Sequence, residues 1–259
     1  MSTPLIECRG VSVGYDEKPV LENVDFVIEQ GEIVTLLGGS GCGKSTMLRS
    51  LTGLLPPLAG EMLVLGKPLY DLSLEERNEL LKKTGTAFQQ DALFGSMSVA
   101  DNVALPLREL TSLPEAVIKE MVRMRLFMVG LPGSEKKLPT SMSGGQRKRA
   151  ALARASILDP VIMFCDEPSA GLDPAVAATI DDTLNHFRDA LNITIVVVTH
   201  ELESIRAISD RVIMFGRGSV MARGTVDELM ASKDPEIFNF FHRVAERPDD
   251  TGALEQLTR

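Results

Sequence analysis

Cysteine is scarce in this chain. Cys8, Cys42 and Cys165 are the whole complement, odd in number and scattered, which argues against a disulfide framework and fits a reducing compartment. Long apolar runs are missing as well: stretches such as Ile193 to Val198 fall far short of the roughly 20 residues a helix needs to span a bilayer. The first residues read polar, without the basic-then-apolar order of a secretion signal. The expectation is a soluble, cytoplasmic chain that reaches a membrane only through a partner. Positive charge is also in deficit, with 27 Lys and Arg against 36 Asp and Glu and a formal net charge of −9. Affinity for phosphate backbones comes mostly from basic residues, so no nucleic-acid partner is expected. No long internal repeat is visible. What is present is 259 residues, 44% of them hydrophobic, enough to bury a core in one domain or in a domain with an inserted lobe.

Val11, Val13 and Tyr15 alternate with small or polar residues, as do Val24, Phe26 and Ile28, with the turn-prone Asp16-Glu17-Lys18-Pro19 between them. This predicts an antiparallel pair of strands. Three short apolar runs follow, Thr86 to Phe88, Val161 to Cys165 and Ile193 to Val198, separated by helical segments. That is the pattern of a parallel sheet buried on both faces, and the fold class is α/β. Between Gln90 and Pro160 the strand signal gives way to helical periodicity, as in Val117, Ile118, Met121, Val122 and Arg125 after Ser112-Leu113-Pro114-Glu115. An inserted helical lobe is expected there. After Gly224 the chain reads as helices and then a polar tail from Arg247.

The segment Gly38-Gly39-Ser40-Gly41-Cys42-Gly43-Lys44-Ser45-Thr46 lies between the apolar run Ile33 to Leu37 and a helix-like stretch from Met47. It is a phosphate-binding loop in its strand-then-helix context. Glycines let the backbone fold so that successive N–H groups point at a phosphate, and the helix end behind them favours the anion. Lys44 would reach the β/γ oxygens of a nucleoside triphosphate and Ser45 would place its hydroxyl on Mg²⁺. A flexible glycine turn would leave the lysine unexplained.

Two further clusters narrow the class. Val161 to Cys165 runs into Asp166-Glu167-Pro168, which sets two carboxylates at the C-terminal edge of a buried strand, where open parallel sheets bind ligands. Asp166 would hold Mg²⁺ directly or through water, and Glu167 would act as general base on the attacking water. Ser143-Gly144-Gly145-Gln146 precedes a helix expected over Arg147 to Leu158, so its bare N–H groups form a second anion site. Cys42 and Cys165, beside these residues, read as small apolar fillers.

With both anion sites on one chain, residues 5 to 235 resemble the nucleotide-binding subunits of ABC transporters. The resemblance implies a RecA-like core over 1–90 and 160–235 with an antiparallel β subdomain, a helical subdomain over 91–159, and a C-terminal extension over 236–259. It implies ATP and Mg²⁺ as ligands and a homodimer in which Ser143, Gly144, Gly145 and Gln146 of one subunit cap the triphosphate on the other. Tyr15 would stack on adenine, or pack on the core. Gln89 would contact Mg²⁺ and water and sense the transmembrane partner, with Gln90 adjacent should the register slip. Ser169-Ala170-Gly171-Leu172-Asp173 would be the loop through which subunits feel each other's sites, and His200 would touch the γ-phosphate. Met142 stands where the family usually has leucine, a tolerable swap.

Within the family, the stretch from Asp91 to Glu109 and the run Ser143 to Ala155, with its Arg147-Lys148-Arg149, are similar to the ATPases of MCE-associated (Mla-type) lipid transport systems. Three basic residues on a helix also fit a merely solvated face. The resemblance implies an integral membrane permease, an MCE-domain periplasmic protein and a small cytoplasmic regulator as partners, on the cytoplasmic face of the inner membrane. An amino-acid importer shares parts of the first stretch and stays open, as does a soluble ABC ATPase. Ile237, Phe238, Phe241 and Val244 recur at helical spacing, a stripe that either packs on its own domain or reaches the second subunit.

Overall fold

The computed structural model describes residues 4–242. Strand β1 (Pro4–Tyr15) turns into β2 (Lys18–Glu29) through Asp16 and Glu17, whose φ angles are 50° and 60°. Two left-handed residues in succession match the twist of a hairpin, and Tyr15 pairs with Lys18. The turn is therefore tighter than the predicted Asp16 to Pro19, and Pro19 already lies in the second strand. Strand β3 (Ile33–Gly38) is buried throughout and leads to helix α1 (Lys44–Leu51), which starts at Lys44 rather than Met47. Strands β4 (Ala59–Val64) and β5 (Lys67–Pro68) extend the first sheet to the order β2-β1-β4-β5, all antiparallel.

Helix α2 (Leu74–Leu81) is opened by a capping box in which Ser73 and Glu76 satisfy each other's backbone N–H groups. Strand β6 (Thr84–Ala87) follows. Then come α3 (Val99–Leu110), α4 (Glu115–Met128), a 3₁₀ turn at Pro139–Ser141 and α5 (Gly144–Ser156), with no strand between Gln90 and Pro160. Strand β7 (Ile162–Asp166), α6 (Pro174–Leu191), β8 (Thr194–Val198), α7 (Leu202–Ile208), β9 (Arg211–Gly216) and β10 (Ser219–Gly224) complete the second sheet. Helices α8 (Val226–Met230) and α9 (Pro235–His242) end the described chain.

The second sheet runs β10-β9-β3-β8-β7-β6 and is parallel except for β10. Its central strands are buried on both faces, hence their unbroken apolar sequences. Phe26 and Ile28 of the first sheet pack with Phe164 and Phe215 of the second, and Met47 and Leu51 of α1 join them. The opposite face of the large sheet packs through Met163 and Ile195 on α5 and α6, whose layer continues into Val103 and Leu126 of α3 and α4. The three predicted parallel runs each sit within one or two residues of a strand, and β4, β5 and the β9–β10 hairpin are additional to the expected strands. The stripe on α9 resolves toward its own domain: Ile237 and Phe241 are buried with Leu37 and Val212, while Phe238 faces out and stacks on His242. Val244 and the polar tail from Arg247 lie outside the described residues.

Candidate active site

Strands β3, β8 and β7 are neighbours and parallel, so the segments leaving their C-terminal ends emerge side by side. These segments are the glycine-rich loop, Thr199-His200 and Asp166-Glu167. The loop is tightly built. At Gly43, with φ 105°, a Cβ would lie 2.7 Å from the Leu21 side chain, so only glycine fits both the turn and the packing under it. Gly39, Ser40, Gly41 and Ser45 are exposed, Thr46 is buried and Cys42 is intermediate. Lys44 folds back so that Nζ donates to the carbonyls of Gly38 at 2.9 Å and Gly39 at 2.8 Å.

Glu167 follows β7 in a left-handed conformation, φ 49°, and its N–H donates to the Val198 carbonyl at 2.8 Å. That bond ties it to the end of β8, from which His200 emerges. His200 Nδ1 and Glu167 Oε1 are 2.8 Å apart. The other carboxylate oxygen, Oε2, is buried without a partner among the described residues, and so is Asp166 Oδ1. Burial pushes the Asp166 carboxyl above the ordinary carboxylate range and the Glu167 charge adds to this, while Arg49, Lys148 and Lys44 pull it down. A buried, unpaired carboxylate edge beside three cations has room for a proton donor or a hard cation. Burial likewise pushes the Cys165 thiol up, as expected of a filler.

Tyr15 closes β1 half exposed, and its hydroxyl accepts a bond from Arg49 Nη1 at 2.8 Å. Gln89 and Gln90 are both exposed just past β6. Ser143 is the N-cap of α5, in a capping box with Gln146, and Gly144 and Gly145 form the first turn. Among the described residues, no hydrogen bond joins Ser143–Gln146 to the phosphate loop. In the segment after Glu167, Ser169 is buried 3.4 Å from the Ser204 hydroxyl, Ala170 and Leu172 are intermediate, Gly171 is exposed, and Asp173 caps α6. The structure thus brings Lys44, Asp166, Glu167 and His200 to one edge, and among the described residues no hydrogen bond joins Ser143–Gln146 to them.

The basic run Arg147-Lys148-Arg149 is not a solvated face. Arg147 donates to the Met142 carbonyl at 2.8 Å, and Arg149 donates to the Val129 and Gly130 carbonyls at 3.3 and 3.1 Å, at the end of α4. Lys148 is buried among backbone carbonyls of the site. The signal was in the spacing: Lys148 shares a stripe with Gly145, Leu152 and Ala155, all buried. Among the described residues no helix is long and apolar enough to cross a membrane.

A family model described as "ABC transporter" matches residues 21–170. The "Probable ribonucleotide transport ATP-binding protein mkl" of Mycobacterium tuberculosis is 40% identical over 237 residues, which is 92% of this chain; the chain spans only 66% of that relative's length. The "Intermembrane phospholipid transport system ATP-binding protein MlaF" of Haemophilus influenzae is 37% identical over 248 residues, 96% of this chain and 94% of the relative. Among solved structures, the dimeric post-hydrolysis state of the ATP-binding cassette MJ0796 bound to ADP and Pi superposes with a TM-score of 0.78 at 29% identity, covering 85% of this chain and 98% of that one. Phosphate loop, acidic strand end and helical insertion agree with these likenesses, and the chain belongs to the ABC transporter family as an ATP-binding cassette of its ATPase fold.

Proposed function

We propose that this chain is the ATP-hydrolysing subunit of a transporter, working as a homodimer that closes around two ATP and drives phospholipid movement through an integral membrane permease. The observation that carries the hydrolytic part is the 2.8 Å contact between His200 Nδ1 and Glu167 Oε1, which leaves Oε2 buried without a partner among the described residues. Lys44 would leave the Gly38 and Gly39 carbonyls for the β/γ oxygens, and the exposed loop N–H groups would hold the β-phosphate. Glu167 Oε2 would accept a proton from water as the water oxygen attacks the γ-phosphorus and the bond to the β,γ-bridging oxygen breaks, releasing ADP and phosphate. His200 would hold Oε1 and face the γ-phosphate. Such catalysis is mostly positioning and charge stabilisation.

Asp166, with its unpaired buried oxygen, and Ser45, exposed in the first turn of α1, suit Mg²⁺ as hard oxygen ligands, with Gln89 as a third candidate. When bound it would neutralise charge on the phosphate oxygens. Tyr15 would stack on adenine. Ser143–Gln146 would cap the triphosphate of the partner copy, which the dimeric state of MJ0796 supports. Ser169–Asp173 would lie at that dimer seam. The domains assigned from sequence would then act as a core holding ATP, a helical lobe carrying Ser143–Gln146, and an extension that braces its own core.

The phospholipid cargo rests on the full-length similarity to MlaF proteins, which exceeds in coverage the higher identity to mkl. An MCE-domain protein and a small regulator would complete the assembly on the cytoplasmic face of the inner membrane. Affinity purification of the tagged chain from detergent-solubilised membranes tests the cargo: a permease with an MCE-type protein and bound phospholipid is expected, and an amino-acid permease would replace the cargo. Glu167→Gln tests the chemistry. It should bind ATP, accumulate as a closed dimer and lose about 10² to 10⁴ in turnover; wild-type turnover would remove Glu167 as base.

A further inference from the structure

Lys148 is a buried ammonium with three donors and no place in the roles assigned so far. Its Nζ donates to the Gln89 carbonyl at 2.5 Å and to the Glu167 carbonyl at 3.2 Å, and lies 3.7 Å from Asp91 Oδ1. Burying a charge is costly unless it is paired and hydrogen-bonded, and here two carbonyls accept from the ammonium while the Asp91 carboxylate balances its charge. Two of the segments it holds are conformationally unusual. Glu167 sits at φ 49°, and Asp91 and Ala92 at 62° and 50°, in a region that non-glycine residues seldom occupy.

The peptide groups around Glu167 are fixed from both sides. Its N–H is bonded to Val198 at the end of β8, and its carbonyl receives Lys148. Asp91 and Ala92 are held through their carbonyls by Arg154, at 3.0 and 2.7 Å, so a second cation of α5 anchors the same stretch. One helix therefore grips the exposed glutamine segment on one side and the carboxylate-bearing turn on the other. Among the described residues, Lys148 is the side chain bonded to both.

We propose that Lys148 is a positioning residue that holds the Glu167 turn in its left-handed conformation and couples it to the Gln89 segment. The proposal rests on the reading of Glu167 as the general base. A displacement of Gln89 or of α5 would reach Glu167 through the ammonium, so hydrolysis would respond to the state of the glutamine segment without Lys148 touching nucleotide. Among the described residues Lys148 forms no bond to the phosphate loop, and ATP affinity should be spared.

The test is steady-state hydrolysis by the purified full chain, with kcat normalised to nucleotide-binding sites and melting temperature read alongside. Lys148→Met keeps the volume and removes every donor. It should lower kcat by about tenfold or more, toward the roughly 10²-fold that a 1 Å misplacement of a catalytic group costs, while KM for ATP stays within about twofold. Lys148→Arg, which restores charge and donors, should recover most of the loss. Should Lys148→Met not fold, Lys148→Gln, which is uncharged and shorter and keeps two donors, is read by the same criteria. A lower melting temperature with unchanged kcat per site would show a structural role only and overturn the proposal. So would equal loss in Lys148→Met and Lys148→Arg. Glu167→Gln run in parallel separates the two readings: arrest there beside normal kcat in Lys148→Met sinks the positioning role alone, whereas normal turnover in Glu167→Gln removes the base and the coupling with it.

Discussion

Gly85 offers a perturbation whose size follows from the packing. It lies in β6, and a Cβ built there would stand 2.0 Å from the Ala155 carbonyl oxygen and 3.3 Å from Pro160 Cγ. Ordinary contact begins near 3.4 Å, and the closest neighbour is backbone, so no side-chain rotation relieves the clash. Gly85→Ala must push α5 away from β6 by about 1 Å, an overpacking that typically costs about 1–3 kcal/mol. For a chain of this size that is a fall of about 2–12 °C in melting temperature. The same helix carries Lys148, so ATP turnover should fall as well, by up to about 10²-fold if the shift reaches Glu167 undamped. Differential scanning calorimetry and a phosphate-release assay on one preparation read both effects. An unchanged melting temperature would mean that β6 and α5 do not pack as described, and a lowered one with normal turnover per folded site would mean that the shift does not reach Glu167.

Lys44→Ala removes a charged donor from the phosphate loop and should weaken ATP binding about 10- to 10²-fold by titration calorimetry; wild-type affinity would overturn the role of Lys44. Cys8 and Cys165 are buried and Cys42 is not, so a thiol reagent should label Cys42 first, and saturating ATP should slow that labelling; equal rates with and without nucleotide would place the nucleotide elsewhere. Burial raises the Asp181 carboxyl above its ordinary value of 3.8, against the hydrogen bond from Ser204 and with help from Asp182 and Glu201. The folded chain then holds a proton that the unfolded chain has released, so this group's contribution to stability declines as pH rises from the ordinary carboxylate range through the raised value. Asp181→Asn should abolish that decline, its melting temperature gaining on wild type toward neutral pH; a difference independent of pH would refute the assignment.

The sequence shows the local parts of this site because each is a contiguous stretch with its own chemistry. Gly38 to Thr46 reads as a phosphate loop since glycine spacing, lysine and flanking strand coincide within nine residues. Asp166 and Glu167 read as a sheet-edge pair because the strand before them is uniformly apolar. What sequence could not show is which separated stretches meet. Strand order sets β8 beside and parallel to β7, and that adjacency brings His200 to Glu167. The β9–β10 hairpin turns through Arg217-Gly218, with φ of 51° and 77°, a two-residue hairpin turn that carries a weak signal in sequence. Arginine at the first left-handed position hides it, since asparagine or aspartate is the usual mark.

Lys148 marks the deeper limit. Charge on a helix reads as solvated by default, and the run Arg147-Lys148-Arg149 looks uniform in one dimension. On the helix the three residues point about 100° apart, so they cannot share one environment. Each instead finds carbonyls left unpaired by a different irregular segment: Met142 before α5, Gln89 and Glu167 at the sheet edge, and the end of α4 at Val129 and Gly130. Irregular backbone near an active site needs such donors, because buried carbonyls outside helices and strands have no ladder to join. A basic run on a helix flanked by loops that must hold left-handed residues is thus better read as a set of backbone anchors than as a charged surface.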